Sequence, residues 1–155
     1  MEHRGLMATM TAKEYLNQAR KIDLQLHAKE MMRAQLEADI LTIRATDYSS
    51  DRVSCGGSRD TSDKVAQLVD MQREIDQAWD QLIDLRHEIA AQIAKLPDND
   101  QRVLLEYRYL ANLKWEEIAV AMHYSWQYLH KIHAKALRSM AEILKKGDEM
   151  RLNEI

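Results

Sequence analysis

The chain has 155 residues, of which 46% are hydrophobic and 30% are charged, and its formal net charge is −3. These values are ordinary for one or two small globular domains, and no apolar run is long enough to span a membrane. A single Cys excludes a disulfide framework and, with no apolar signal segment at the N-terminus, leads us to expect a cytoplasmic protein. Four Gly, one Pro and no Phe favour an all-α fold.

The N-terminal part of the chain predicts one long helix. Residues 1–10 have no periodic pattern, and we expect them to be disordered. Thr11 and Glu14 fit a capping box at the start of a helix that continues to about Ala45. One apolar stripe, interrupted by Lys29 and Arg33, contains Tyr15, Ala19, Ile22, Leu26, Leu36, Ile40 and Ile43. A second stripe contains Leu24, Ala28, Met31, Ala38 and Leu41, so we expect the helix to bury different faces along its length.

A polar loop and a second long helix follow. Residues 47–62 are rich in Ser, Asp and Gly, and we interpret Cys55 within them as an incidental exposed thiol. Residues 63–95 carry apolar side chains at the spacing of a heptad seam: Val65, Leu68, Ile75, Trp79, Leu82, Ile89, Ile93 and Leu96. We therefore predict that residues 11–96 form a long antiparallel coiled-coil hairpin. Because the first helix has more apolar positions than one partner helix covers, we also expect a homodimer.

Residues 97–146 predict a separate three-helix domain, followed by a tail at 147–155. Pro97 ends the second helix, and Asp98 or Asn99 can cap the next one, which packs through Val103, Leu104, Tyr107 and Leu110. A short helix from about Lys114 to Met122 is apolar at Trp115, Ile118, Ala119 and Met122. Ser125 then caps a helix that buries Leu129, Ile132, Ala136, Leu137 and Met140. Two helices around a tight turn are the layout of a helix-turn-helix.

The charge of the last helix distinguishes it from the rest of the chain. Residues 125–146 contain five Lys or Arg and one Glu, a net charge of +4, whereas the whole chain is acidic. A basic helix in an acidic protein suits the phosphate backbone of double-stranded DNA. The alternative is an ordinary helical hairpin with a solvated basic face.

Residues 96–144 resemble region 4 of the sigma-70 family, a promoter-reading domain. The segments that carry the resemblance are LPDNDQRVLLEYRYL, WEEIAVAM and IHAKALRSM, which match its opening helix, the first helix of its motif and the close of its recognition helix. The chain has a long helical N-terminal half and no counterpart of sigma-70 region 2. In this it is similar to the ArpU/RinA-type regulators of phages and prophages. The resemblance implies a role in transcription, with contact to RNA polymerase as a further expectation.

The resemblance places the DNA reader on residues 125–144. It implies that a set of polar, aromatic and basic side chains faces DNA: Lys114, Ser125, Trp126, Gln127, Tyr128, His130, Lys131, Lys135 and Arg138. Gln127 suits adenine, and Lys131 suits guanine or a phosphate. Trp126 and Tyr128 suit either a thymine methyl group or the sugar-phosphate backbone. The family often has Arg where this chain has Trp126 and His130, so its sequence preference is not carried over.

Other kinds of site have weaker support. His123, His130 and His133 are close in sequence, but no Cys or carboxylate completes a zinc set at ligand spacing. Glu116 and Glu117 fit a helix N-terminus better than acid–base chemistry. We therefore expect no catalytic site, metal or cofactor. Two functions remain open, a sequence-specific DNA-binding regulator and an adaptor that contacts RNA polymerase or another regulator.

Overall fold

The computed structural model describes residues 10–49 and 57–154, and its regular elements over these ranges are all helical. The all-α prediction is therefore confirmed. The helices are α1 (Ala12–Ser49), α2 (Gly57–Ile93), α3 (Asn99–Leu105), a π turn (Glu106–Leu110), α4 (Trp115–Met122) and α5 (Trp126–Asn153). The prediction of disorder at the N-terminus and the interpretation of Cys55 concern residues that lie outside the described ranges. No helix in these ranges is long and apolar enough to cross a bilayer.

The chain forms two compact units. One comprises Met1–Lys21 together with Ile83–Ile155, and the other comprises Ile22–Leu82. We call them the larger and the smaller unit. The first turns of α1 and the last turns of α2 thus belong with the short helices, whereas we predicted a boundary at residues 96 and 97. The predicted loop is also shorter than expected, because α1 reaches Ser49 and α2 begins at Gly57.

The two long helices pack together in an antiparallel manner. In the smaller unit, Lys29 Nζ lies 2.9 Å from Glu74 Oε2. In the larger unit, the Tyr15 hydroxyl donates to Glu88 Oε1 at 3.4 Å. Earlier residues of α1 therefore contact later residues of α2, as in an antiparallel pair. Side chains are buried at seven-residue intervals along α2, at Ile75, Leu82 and Ile89, and again at Leu96 just beyond its end. These four belong to the predicted heptad seam, whereas Trp79, also predicted there, is 40% exposed.

The prediction that α1 changes its buried face was wrong. The first stripe is buried or half-buried along its length, and Lys29 and Arg33 fill its gap as half-buried side chains. The second stripe stays in solvent: Leu24 is 65% exposed, Met31 63% and Leu41 61%. Charged side chains can line a helix contact because their aliphatic stems are apolar, so the charges did not force α1 to turn over.

The short helices of the larger unit surround one core. Leu104, Ile118, Leu129 and Ile132 are buried together, and a ring of half-buried side chains packs against them: Tyr107, Leu113, Trp115, Ala119, Met122 and Tyr124. Asp98 caps α3, since its Oδ1 accepts from the backbone N–H groups of Asp100 and Gln101. Both motif helices are therefore held through the apolar faces that the sequence predicted.

The π turn and the length of α5 differ from expectation. Leu105 and Tyr109 are buried, whereas Val103 and Leu110 are only half-buried. The Ala111 N–H reaches back five residues to the Glu106 carbonyl at 2.9 Å, and this wider turn rotates the positions that follow Leu105. Helix α5 continues to Asn153, past the predicted end at residue 146. Gly147 lies inside it without ending it.

Replacing one buried leucine of α5 should test the core. Leu129 is fully buried, so Leu129→Ala removes buried methyl groups and should lower the free energy of unfolding by about 3 kcal/mol. Leu152→Ala is the matched control on the same helix, because Leu152 is 73% exposed. Urea unfolding followed by circular dichroism measures both. Equal midpoints for the two variants would contradict the packing described here.

Candidate nucleic-acid interface

The turn between α4 and α5 is held by three local interactions. His123 adopts a left-handed conformation with φ of 57°, which ends α4 and reverses the chain. Ser125 is the N-cap of α5, as predicted, and its Oγ accepts from the Tyr128 N–H at 3.2 Å. The Tyr124 hydroxyl donates to Asp100 Oδ2 at 2.8 Å, and this bond raises the pKa of Tyr124. The turn is thus tied to α3, and the start of α5 has a defined position.

The N-terminus of α4 is capped by a side chain from its own first turn. Lys114 is the N-cap residue, and its backbone N–H donates to Glu117 Oε2 at 2.8 Å. Glu116 and Glu117 lie in the first turn, where the sequence placed them. Carboxylates at this end of a helix are favoured by the helix dipole. Lys114 is exposed but does not lie on α5 with the other predicted residues.

One face of α5 is exposed at four successive positions of the helical repeat. Gln127, Lys131, Ala134 and Arg138 are all exposed and follow one another at intervals of four, three and four residues. Such intervals place side chains on the same side of a helix. This outer face lies opposite Leu129, Ile132, Ala136 and Met140, which are buried. Ala134 was not among the predicted residues, although its position seven residues after Gln127 indicates the same face.

Two further predicted pairs lie beside the outer face. Tyr128, which is 47% exposed, and Lys135 lie on the side toward α3. There a groove of about 280 Å³ is lined by basic side chains of α5 and by acidic and polar side chains at the start of α3: Lys131, Lys135, Arg138, Asp98, Asp100 and Gln101. The Tyr128 ring also packs edge-on against Tyr124, with centroids 4.9 Å apart. Trp126 and His130 lie on the other side.

His130 belongs to an aromatic cluster rather than to the open outer face. Its ring centroid lies 4.3 Å from that of Trp115 and 4.1 Å from that of Trp126. The side chain is half-buried, and its Nε2 atom is buried without a hydrogen-bond partner in the described part of the chain. Trp126 remains 55% exposed at the edge of this cluster. The structure therefore leaves His130 less accessible than the sequence implied.

A buried tyrosine–histidine pair lies beneath the cluster. The Tyr109 hydroxyl and His133 Nε2 are 2.8 Å apart, and His133 is only 8% exposed. Burial, with smaller contributions from the charges of Lys13, His130 and Arg108, lowers the pKa of His133 from 6.5 to about 4. His133 is therefore neutral near pH 7. We weighed this residue only as a metal ligand, although its position four residues after Leu129 and three before Ala136 indicates the buried face of α5.

The fold and these faces define an all-α protein whose short helices present a capped, basic helix surface. Residues 42–141 match a family described as "Protein of unknown function (DUF1492)", and this chain belongs to that family. No curated protein and no solved structure matches the chain. The family model covers α2, α3, α4 and α5 as far as residue 141, including the whole outer face.

The buried His133 should make stability depend on pH. Its pKa is lowered in the folded protein from 6.5 to about 4, so the unfolded chain binds a proton over this interval and the folded chain does not. The stability from neutral His133 is therefore complete above pH 6.5 and should be lost, by about 3 kcal/mol, as the pH falls toward 4.

The measurement is urea unfolding between pH 4.5 and 7.5 for wild type, His133→Gln and the exposed control His87→Gln. The two variants separate this histidine from carboxylates that titrate in the same range. We expect His133→Gln to have a shallower dependence on pH and His87→Gln to follow wild type. Three parallel curves would show that His133 is not responsible.

Proposed function

We propose that this protein is a sequence-specific DNA-binding transcriptional regulator that places α5 in the major groove. The observation that carries the proposal is the outer face of α5, where Gln127, Lys131 and Arg138 are exposed on a helix whose start is capped and packed. A helix enters the major groove when its outer side chains are free and its inner side is fixed to a supporting helix. Here α4 and α3 supply that support through Ile118 and Leu104.

The chemistry of the outer face fits a division of labour on DNA. Gln127 is near the N-terminus of α5, where recognition helices contact base edges, and its amide can both donate to and accept from adenine. Lys131 comes one turn later and suits guanine or a phosphate. Lys135 and Arg138 lie further along the helix and suit backbone phosphates. On the outer face, Ala134 lies between Lys131 and Arg138, and its small side chain lets the helix approach DNA closely.

The resemblance to sigma-70 region 4 and to ArpU/RinA-type phage regulators supports this proposal. The segments that carry it correspond to α3 with the π turn, to α4 and to the middle of α5. We propose that the short helices work as such a domain, in a cytoplasmic regulator of phage or prophage genes, with no catalytic role. Contact with RNA polymerase is the alternative function, in which the same unit serves as an adaptor.

Substitutions on the outer face should separate base reading from phosphate contact. Gln127→Ala with Lys131→Ala should weaken binding to the specific site at least tenfold, since each base contact contributes about 1–3 kcal/mol. Lys135→Ala should weaken binding to all sequences alike and lower the dependence of log affinity on log salt by about 0.9. The assay is an electrophoretic shift across a salt series, on a site first located by footprinting DNA around the gene. Lys95→Ala, an exposed lysine at the end of the α2 region, is the control.

The same assay distinguishes the two functions. Unchanged specific binding by the double variant would show that α5 is not the reader. If wild type binds all DNA weakly and equally, the adaptor function gains the support instead. A pull-down with RNA polymerase would then test it directly.

We also propose that the second apolar stripe of α1 forms a homodimer. Within the smaller unit, Leu24, Ala28, Met31 and Ala38 lie on the face opposite the buried Leu26 and Ile40, and all four are exposed. Their intervals of four, three and seven residues are those of a heptad seam. A seam of this kind fits a second helix of the same type, and a second copy of the chain provides one. A dimer would also supply two reading helices for paired half-sites.

Charges placed on this stripe should break the dimer without unfolding the chain. Leu24→Glu with Met31→Glu introduces like charges into the proposed seam at side chains that are already exposed in the single chain. We expect light scattering after gel filtration to show twice the chain mass for wild type and the single chain mass for the variant, with equal helicity. Gln67→Glu with Gln77→Glu adds the same charge at exposed positions of α2, away from the stripe, and should stay dimeric. A monomeric wild type at micromolar concentration would refute the dimer.

A further inference from the structure

A pocket of about 290 Å³ in the larger unit brings positive charge together from three elements. Lys13 and Arg20 come from the first turns of α1, and Arg108 comes from the π turn. Trp115 of α4 and the two histidines of α5, His130 and His133, lie in the same lining, and no carboxylate of the described residues does. The sequence gave no reason to group these residues, because Lys13 and Arg108 are almost one hundred positions apart.

Arg108 is held in place at the wall of this pocket. Its Nη1 donates to the Leu113 carbonyl at 3.0 Å, and its guanidinium lies 4.9 Å from the centre of the Trp115 ring. Burial lowers the pKa of Arg108, and the charge of Arg20 lowers it further, whereas the charge of Glu116 raises it. The guanidinium thus keeps its remaining N–H groups in a fixed position beside a second cation. Arginine with a fixed planar fork is well suited to phosphate oxygens.

The other cations lack an internal partner. Within the described part of the chain, neither Lys13 nor Arg20 forms an ion pair, and three cations within one pocket repel one another. His130 lines the same pocket with a buried Nε2 atom that has no hydrogen-bond partner in the described residues. A buried polar atom without a partner is unusual in a folded protein and often indicates a water or an ion at the site. A bound anion would neutralise the three cations and would accept hydrogen bonds.

We propose that this pocket is a binding site for a phosphate group. Lys13, Arg20 and Arg108 supply charge-assisted hydrogen bonds, and the His130 ring lies in the lining beside them. The pocket is at the lower end of the range for small-molecule sites, roughly 300–1,000 Å³, which suits phosphate, diphosphate or the phosphate end of a larger ligand. The group comes either from a free phosphorylated molecule or from a DNA backbone. The site itself does not depend on DNA binding.

The first arm of the test measures the anion directly. Titration calorimetry with pyrophosphate, at constant ionic strength and on the full chain, should give saturable binding by wild type. Lys13→Gln with Arg20→Gln removes two cations that carry no internal bond and should weaken binding at least tenfold. Lys21→Gln, an exposed lysine next to Arg20 that does not line the pocket, should bind as wild type. Circular dichroism checks that all three chains have equal helicity.

Two results of this arm would overturn the site. One is heat no larger than that of dilution for folded wild type, and the other is equal affinity for wild type and the Lys13→Gln, Arg20→Gln variant. A shift of the His130 imidazole signals on adding pyrophosphate, observed by nuclear magnetic resonance, would place the anion beside this ring. Signals that do not move while heat is released would put the anion elsewhere on the protein and refute the site.

The second arm identifies the source of the phosphate once binding is established. If a DNA backbone phosphate occupies the pocket, the double variant should lower DNA affinity and reduce the salt dependence of binding by about 0.9 for that phosphate, and pyrophosphate should compete with DNA. If a free phosphorylated molecule occupies it, DNA affinity without added anion should stay unchanged. Wild type that binds pyrophosphate but no DNA would support the site and refute the proposed DNA function, so the two failures are distinguishable.

Discussion

The burial of one side of α5 is the constraint on which the rest of the larger unit depends. Leu129 and Ile132 meet Leu104 of α3 and Ile118 of α4 in one core, and none of these four is more than slightly exposed. Because a close-packed core accepts only one arrangement of its side chains, the rotation of α5 about its axis is determined. The outer face is then the side of α5 opposite this core. Its basic and polar side chains do not contribute to the core, so they are available to contact a partner.

The aromatic cluster connects the outer face with the interior. Trp126 at the exposed edge contacts His130 edge-on, the His130 ring is tilted against Trp115, and Trp115 contacts both His133 and the guanidinium of Arg108. A ligand in the phosphate pocket would touch the inner members of this chain of contacts, while DNA would touch the outer one. The proposed pocket and the start of α5 therefore share one set of packed rings.

Helix α1 carries two apolar faces, and only one of them is buried. On α1 the buried face, with Leu26 and Ile40, is directly opposite the exposed stripe that contains Leu24 and Met31. The single chain needs only the first of these faces, because α2 covers it. Exposed leucine and methionine side chains repeated at heptad intervals are unusual on a helix whose other face is already packed against a second helix. This surplus is what favours a second copy of the chain.

Local patterns in the sequence determined most of the secondary structure and the inward face of each motif helix. The Thr11–Glu14 capping box, the Asp98 and Ser125 caps and the buried Leu129 and Ile132 follow from side-chain chemistry within a few residues, which is why periodicity and capping rules predicted them. Tertiary structure alone decided which stripe of α1 is buried, since both have helical spacing and only packing against α2 selects one. It also decided the π turn that moves Tyr109 inward, the packing of His130 between two indole rings, and the meeting of Lys13, Arg20 and Arg108. Each of these depends on contacts between residues that are distant in sequence, or on a change of helical phase, and a local pattern contains neither.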